Sequence, residues 1–565
     1  MSFVQAMNSP DNTKVGATKE GVNGADVYTE QGVGDLRVTL FTMLNRGLSG
    51  TYIEENIGKI FEEGSPDKIK DLFVMAFQTR DVRGGKGERA LFYTFITSLY
   101  NKRPDVVKKL LTLVPEYGCW RDMWELYNRS KDDDMKNAIL DVAKSVFFAD
   151  LVKNASGNAN NLSLIAKWLP REKSGTYPGL ARKICNHFYN DVSSARKRII
   201  NYRLDMSTLN KALKTVEINM CCKGWATIKP DAVPGRCLKI HNKAFLNEVV
   251  TRKPWKNTNI RFPNSEDRNE CRKHFLEFID GLKNGTRKAH GAHVVMPHEL
   301  VDNSLYKSST VEEQEIIQGQ WNSIREETQK LGGFGKCVPM CDFSGSMNGT
   351  PKLVSLALGI LISEINHPSF KDHILTFDSE PKWHSFANMT SLKDKVSSIR
   401  GNIGQGLSTD FYKACMRVLQ KMKDNKVPVG EEPEDLIVLT DMGWDAASSD
   451  SASSYYYKPK KNSQWATQVT QIRDAFREAG EEVWGEGNGW KAPRIVIWNL
   501  RGDFKDFHAK AEDEGVVMLS GWSPSILKAL QKGGVQMMTP IEGLRQVLDD
   551  ERYDKVREAI QEFFP

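Results

Sequence analysis

From about Asp35 to Lys330, apolar residues recur at helical spacing. Ile69, Leu72, Phe73, Ala76 and Phe77 fall at i, i+3, i+4, i+7 and i+8, which places them on one helix face. Leu91, Phe92, Phe95, Ile96 and Leu99 form a second stripe, and Val106, Val107, Leu110, Leu111 and Val114 a third. Trp120, Met123, Trp124 and Tyr127 open a further helix after the break at Tyr117-Gly118. Gly, Pro and Asn separate these segments. The pattern changes near Leu331. Gly332-Gly-Phe-Gly335 ends the helical region, and Lys336–Cys341 is a short apolar run suited to a buried strand. Asp342-Phe-Ser-Gly-Ser-Met347 follows, and then Pro351 starts an apolar helix through Leu353, Leu356, Ala357, Ile360 and Leu361. Further strands are predicted at His373–Phe377, Leu436–Thr440, Arg494–Trp498 and Val516–Leu519. Helices are predicted between and after them, around Asp410–Lys423, Ala466–Ala479, Pro524–Gln531 and Arg552–Phe563.

Alternating strands and helices imply a mainly parallel, doubly wound α/β sheet over residues 331–565. Residues 31–330 read as an all-α repeat domain, because helices with a single apolar stripe must stack to bury it. No fixed period is visible, so irregular HEAT-like pairs in a curved solenoid are expected rather than tetratricopeptide or ankyrin repeats. Residues 1–30 read as a flexible N-terminal segment.

Composition narrows the setting. The 565 residues are 40% apolar and 27% charged, as in ordinary globular proteins. Residues Met1–Glu20 are polar and do not resemble a secretory signal, and the apolar run Leu353–Ile365 falls short of the roughly 20 residues that span a bilayer. Nine cysteines, an odd number scattered along the chain, suit reduced thiols and an intracellular, cytoplasmic setting, or a virion if the source is viral. Cys221, Cys222, Cys237 and His241 match no common zinc spacing, and the three cysteines are read as buried free thiols.

The net charge of +6 is unevenly placed: between Lys167 and Lys214 there are eleven Lys/Arg against three Asp/Glu. That asymmetry points to a polyanionic partner, with solvated helix faces as the plain alternative. Candidate nucleic-acid contacts are Arg80, Arg83, Lys86, Arg89, Lys173, Arg182, Lys183, Arg196, Lys197, Arg198 and Arg203. The first four lie in Gln78-Thr-Arg-Asp-Val-Arg-Gly-Gly-Lys-Gly-Glu-Arg89, where glycines would let backbone N–H groups approach a phosphate. The plain alternative there is a tight turn with Arg80 pairing Asp81. Trp168, Tyr177, His187, Phe188, Tyr189 and Tyr202 interleave with the later cations and offer stacking surfaces for single-stranded bases; the plain alternative is that most of them, Trp168 and Phe188 first, belong to the core.

The α/β half carries more specific chemistry. Asp342, Ser344 and Ser346 place a carboxylate and two hydroxyls on one tight loop at a strand's carboxyl end. Thr409, in Gly406-Leu-Ser-Thr-Asp410, and Asp441 add oxygens from two other loops, with Ser408 as an alternative to Thr409. An all-oxygen set suits Mg²⁺, with Mn²⁺ or Ca²⁺ also fitting. Two carboxylates and neutral hydroxyls leave an ion able to take an acidic group from a partner.

Asp-x-Ser-x-Ser, a Thr-Asp loop and an Asp after an apolar strand together resemble the metal-ion-dependent adhesion site of von Willebrand A domains. With a helical front half, the chain resembles the Ro autoantigen family, which joins a TROVE helical module to such a domain. Gln78–Arg89, Tyr117-Gly-Cys-Trp-Arg-Asp122, Lys167-Trp-Leu-Pro170, Val216-Glu-Ile-Asn-Met220 and Gly515–Ser523 resemble a domain-of-unknown-function subfamily of plants, fungi and large DNA viruses. The Ro resemblance implies RNA binding, with structured RNA outside a helical ring and single-stranded ends through its centre.

Three functions follow as expectations. One is an RNA-binding ribonucleoprotein scaffold. Another is a protein-interaction or assembly scaffold that uses the metal without nucleic acid; the Ser/Tyr-rich stretch Ala446–Lys461 after the metal loop would shape its partner choice. The third, a metal-dependent hydrolase, is disfavoured, because Ser344 stands where an aspartyl-phosphate enzyme needs its second Asp.

Overall fold

The computed structural model describes residues 17–249, 260–291, 295–306, 310–330, 335–377, 381–399, 410–445, 468–531 and 538–564. A hairpin comes first, β1 (Thr18–Glu20) pairing antiparallel with β2 (Asp26–Tyr28). The hairpin lies within the 1–30 segment read from the sequence as flexible, of which residues 1–16 are outside the described residues. The hairpin is fixed by partners distant in sequence: Lys19 Nζ and the Val22 N–H both reach the Asp506 carboxylate at 2.8 Å, and Tyr28 N donates to Phe507 O.

The second half forms a mixed six-stranded sheet from β3 (Cys337–Asp342), β4 (His373–Phe377), β5 (Lys382–Ser385), β6 (Asp435–Thr440), β7 (Arg494–Asn499) and β8 (Val516–Ser520). Their spatial order is β5-β4-β3-β6-β7-β8, with all pairs parallel except the β4–β5 edge. Every residue of β3, β6 and β8 is buried, which is why these segments read as continuous apolar runs rather than alternating ones. Edge strand β5 is mostly exposed and polar, and no apolar run marks it in the sequence.

The helix Thr350–Ile365, with Pro351 in its first turn, packs on β3, β4 and β6. Gly359 permits the close approach: a Cβ there would lie 2.3 Å from Cys341 Sγ. From β3 the chain moves outward to β4, then returns to the other side of β3 at β6 and continues outward to β7 and β8. The winding therefore reverses between β3 and β6. In open α/β sheets the crevice at such a reversal, outside the carboxyl ends of the strands, is where ligands bind.

The helical stripes are buried as their periodicity predicts: Leu72, Phe73, Ala76, Phe77, Phe92, Phe95, Met123 and Trp124 are fully enclosed. Gly50–Glu63 and Pro66–Arg80 both pack on Ala90–Lys102, and Asp133–Ala155 packs on Leu180–Phe188 and Ala195–Leu213. The two halves of the chain interlock. Leu36–Met43 and Pro540–Leu548 both lie on β8, while Asp554–Ile560 packs against Pro66–Arg80 and Pro104–Leu110. Pro297–Tyr306 packs on Thr350–Ile365.

Buried polar groups cross this seam. Asn45 Nδ2 donates to Asn499 O at 2.8 Å, and Asn499 Nδ2 donates to Thr42 O at 2.9 Å. Asp81 is fully enclosed and is held by the Arg552 guanidinium and the Tyr553 hydroxyl. Replacing Arg552 with Met leaves the Asp81 charge without its cation, and should cost about 3 kcal/mol. Urea denaturation checks this; a midpoint like that of the parent chain would show that the pair contributes nothing.

Two buried histidines make stability depend on pH. Burial, with Arg46 nearby, lowers His298 to about 4 beside the Trp522 ring, and burial lowers His508 to about 4 as well. Both lie below the ordinary value of 6.5, so the unfolded chain binds more protons between those two pH values. Their contribution is therefore complete above about pH 6.5 and is lost as pH falls toward 4. The denaturation midpoint should drop between about pH 7 and pH 5, and less so in His298→Asn; equal slopes in parent and variant would clear His298 of this role.

Candidate metal site at the sheet reversal

Asp342 ends β3 and Asp441 follows β6, so the reversal in winding brings these two carboxylates, 99 positions apart in the sequence, to one crevice. Both are fully buried. Asp342 Oδ1 accepts the Ser344 N–H at 2.9 Å, and its Oδ2 accepts the Thr440 hydroxyl at 2.9 Å. Thr440 Oγ1 itself receives the Met442 N–H and the Trp444 indole N–H, which commits its own proton to Asp342. The Ser344 and Ser346 hydroxyls lie 3.0 Å apart. Asp441 Oδ1 accepts the Gly443 N–H at 3.1 Å, whereas its Oδ2 is buried with no hydrogen-bond partner.

The electrostatics match this geometry. Burial, and then the charge of Asp441, push the Asp342 carboxyl well above the usual carboxylate range. Burial raises Asp441 too, opposed by the Ser346 hydroxyl, the Gly443 N–H and the Arg501 guanidinium. Two buried carboxylates with one orphaned oxygen are a costly arrangement that a bound cation relieves. Among the described residues, no group of three or more His, Cys, Asp or Glu side chains is placed to hold a metal; this crevice holds two carboxylates and the Ser344 and Ser346 hydroxyls. Thr409 and its alternative Ser408 lie outside the described residues, as do Ala446–Lys461. The neighbouring Asp410 caps the helix Phe411–Asp424, accepting the Lys413 N–H at 2.8 Å.

Several supporting residues escaped the sequence reading. Trp444 packs between Phe411 and His508, with ring centroids 4.0 and 3.6 Å away, and His508 Nε2 donates to Met442 O at 2.9 Å. Met442 takes a left-handed φ of 70°, an unusual conformation that this packing holds beside Asp441. The hairpin turn joins the same loop, with Asn23 Nδ2 donating to Gly443 O at 2.7 Å. Thr440 could have been found as the hydroxyl at the end of an apolar strand; nothing near Asn23 or His508 announces their roles.

The proposed nucleic-acid residues divide. Arg80 and Lys86 must be removed from that surface. Arg80 is buried against Asp122, with Nη2 2.7 Å from Oδ2. Lys86 is fully enclosed, and its ammonium donates to Phe41 O, Leu44 O and Ser520 Oγ at 2.9, 3.2 and 2.5 Å. The glycine loop does cradle an anion, but an internal one: the Arg83 and Gly84 N–H groups donate to the Asp81 carboxylate. Arg80 therefore pairs with Asp122 and Asp81 with Arg552, rather than with each other. Arg83, Arg89, Lys173, Arg182, Lys183, Arg196 and Lys197 are exposed. Arg198 is partly buried and caps Val192 O, while exposed Arg203 is paired with Glu172 at 2.5 Å.

The expected stacking surfaces are also internal. Phe188, Tyr189 and Tyr202 are buried, as is Tyr177, whose hydroxyl bonds Glu125; Trp168 packs partly against the core, and His187 meets Asp141 at 2.7 Å. Cys221 and Cys222 are exposed rather than buried, and all nine cysteines are free thiols.

If the two carboxylates repel in the metal-free protein, Asp441→Asn should stabilise it. A gain of about 1 kcal/mol or more is expected in urea denaturation with chelator near pH 8. A variant no more stable than the parent would mean the pair carries no strain.

Residues 336–563 match a family described as Domain of unknown function (DUF7788). A protein of Acanthamoeba polyphaga mimivirus, "Uncharacterized protein L728", is 26% identical over 544 residues, covering 93% of this chain and 86% of its own length. The sequence from residue 336 to the last helix is thus similar to a family whose recorded description assigns no activity, and the similarity to the viral protein extends through the helical half.

Proposed function

We propose that the chain is a non-enzymatic binding scaffold whose α/β half is a von Willebrand A-type domain that grips a divalent cation. Asp342, Ser344, Ser346, Thr409 and Asp441 would hold it, with Mg²⁺ the best-suited ion and Mn²⁺ or Ca²⁺ alternatives. The observation that carries this reading is the buried Asp441 Oδ2, which has no hydrogen-bond partner and lies near a second buried carboxylate at the sheet reversal. A bound ion supplies positive charge with an open coordination position, which suits an acidic group of a protein partner. The chain's own residues orient the donors: Thr440 fixes Asp342, while the Trp444–His508 stack fixes the loop that bears Asp441.

Calorimetric titration with Mg²⁺ and Mn²⁺ tests the proposal. The parent chain should bind one ion, and Asp342→Ala should lose that binding while keeping its helical circular dichroism. An Asp342→Ala protein with parent-like affinity would refute the assignment.

RNA is a second reading, supported by the exposed cations Lys173, Arg182, Lys183, Arg196 and Lys197 in one 25-residue stretch that includes two neighbouring helices. It fits a HEAT-like helical half and the resemblance to the Ro family. Reversing Arg196 and Lys197 to Glu should weaken binding of a stem-loop RNA and flatten its salt dependence. Identical filter-binding curves across a salt series would remove this face from consideration.

A further inference from the structure

A guanidinium stands near the Asp441 carboxylate, bonded to the backbone of Ser346. Arg501 lies just past β7, on the same carboxyl-end side of the sheet as Asp342 and Asp441. Its backbone is held firmly. The Arg501 N–H donates to Asn499 Oδ1 at 3.0 Å, Leu500 N donates to Thr440 O at 2.8 Å, and the Trp522 indole donates to Leu500 O at 2.9 Å. The guanidinium donates from Nη1 to the backbone oxygen of Ser346 and pairs through Nη2 with Asp503. The side chain is 32% exposed, so it sits at the mouth of the crevice.

A cation placed there opposes metal binding, so metal retention does not account for its position. It does suit the ligand. A carboxylate that gives one oxygen to a metal ion has a second oxygen to place, and a planar guanidinium fixed alongside is shaped to receive it. The charges limit what fits. Asp342 and Asp441 neutralise a divalent ion, and Asp503 partly neutralises Arg501, which leaves at most about one positive charge at the mouth. A singly charged carboxylate satisfies that balance better than a doubly charged phosphate.

We propose that Arg501 is the second anchor of this site and selects the side-chain carboxylate of an acidic protein partner. The inference rests on the metal reading above and specifies its ligand. The test uses the full chain with Mn²⁺ alone, then with Mn²⁺ plus a hexaglutamate peptide or inorganic phosphate, followed by calorimetry. The parent should bind Mn²⁺ and then the peptide in preference to phosphate. Arg501→Gln should bind Mn²⁺ at least as tightly but lose about tenfold or more in peptide affinity, and Arg501→Lys should recover only part of that loss. A matching urea midpoint establishes that each variant is folded. Unchanged peptide affinity in Arg501→Gln would overturn the proposal, as would a parent chain that binds Mn²⁺ and ignores the peptide or prefers phosphate. Those results leave the metal reading standing; a parent chain that fails to bind Mn²⁺ at all overturns both.

Discussion

The ion pair between the enclosed Asp81 and the half-buried Arg552 governs how the molecule is put together. Asp81 ends a helix of the first half, and its carboxylate takes two backbone N–H groups from its own loop. Its cation and the Tyr553 hydroxyl come from near the chain's end. Lys86, five residues on, sends its ammonium in the other direction, to the last residue of β8. Its three acceptors match the three protons of an ammonium, while burial pulls its pKa down. Neither half supplies all of these partners. A helical half without the sheet would bury an acid and a lysine without their full complement, which favours a single joined interior over two domains on a tether.

The contrast with the sheet crevice is informative. Asp81 is a buried carboxylate with every need met, whereas Asp441 is a buried carboxylate with an oxygen left over, next to another acid. The same physics that makes the first a structural pin leaves the second with an unmet demand for positive charge or a donor. The left-handed Met442 and the aromatic stack beneath it hold that unfavourable arrangement in place.

Much of this was legible in the sequence because period and burial coincide. The fully buried strands appear as apolar runs, and the helical stripes lie on the faces their spacing predicts. Asp342, Ser344 and Ser346 were readable because a single short loop carries all three, and Asp441 because it ends an apolar strand. The basic loop at Arg80–Arg89 misled for a physical reason: charge and glycine signal an anion cradle, but spacing cannot say whether the anion is foreign or, like Asp81, built in. The aromatics from Trp168 to Tyr202 misled likewise, since apolar rings among lysines serve a core as readily as a stacking surface. Edge strand β5, the hairpin and Arg501 depend on partners remote in sequence and leave no local trace.

The hairpin has a consequence for how the chain matures. Val22 is anchored by Asp506, 484 residues later. At about 5–20 residues per second, the turn that joins the Asp441 loop waits roughly 25 to 100 seconds on the ribosome for its anchor to be made. The hairpin is thus made long before its anchor, and the crevice gains this wall only after Asp506 has been translated.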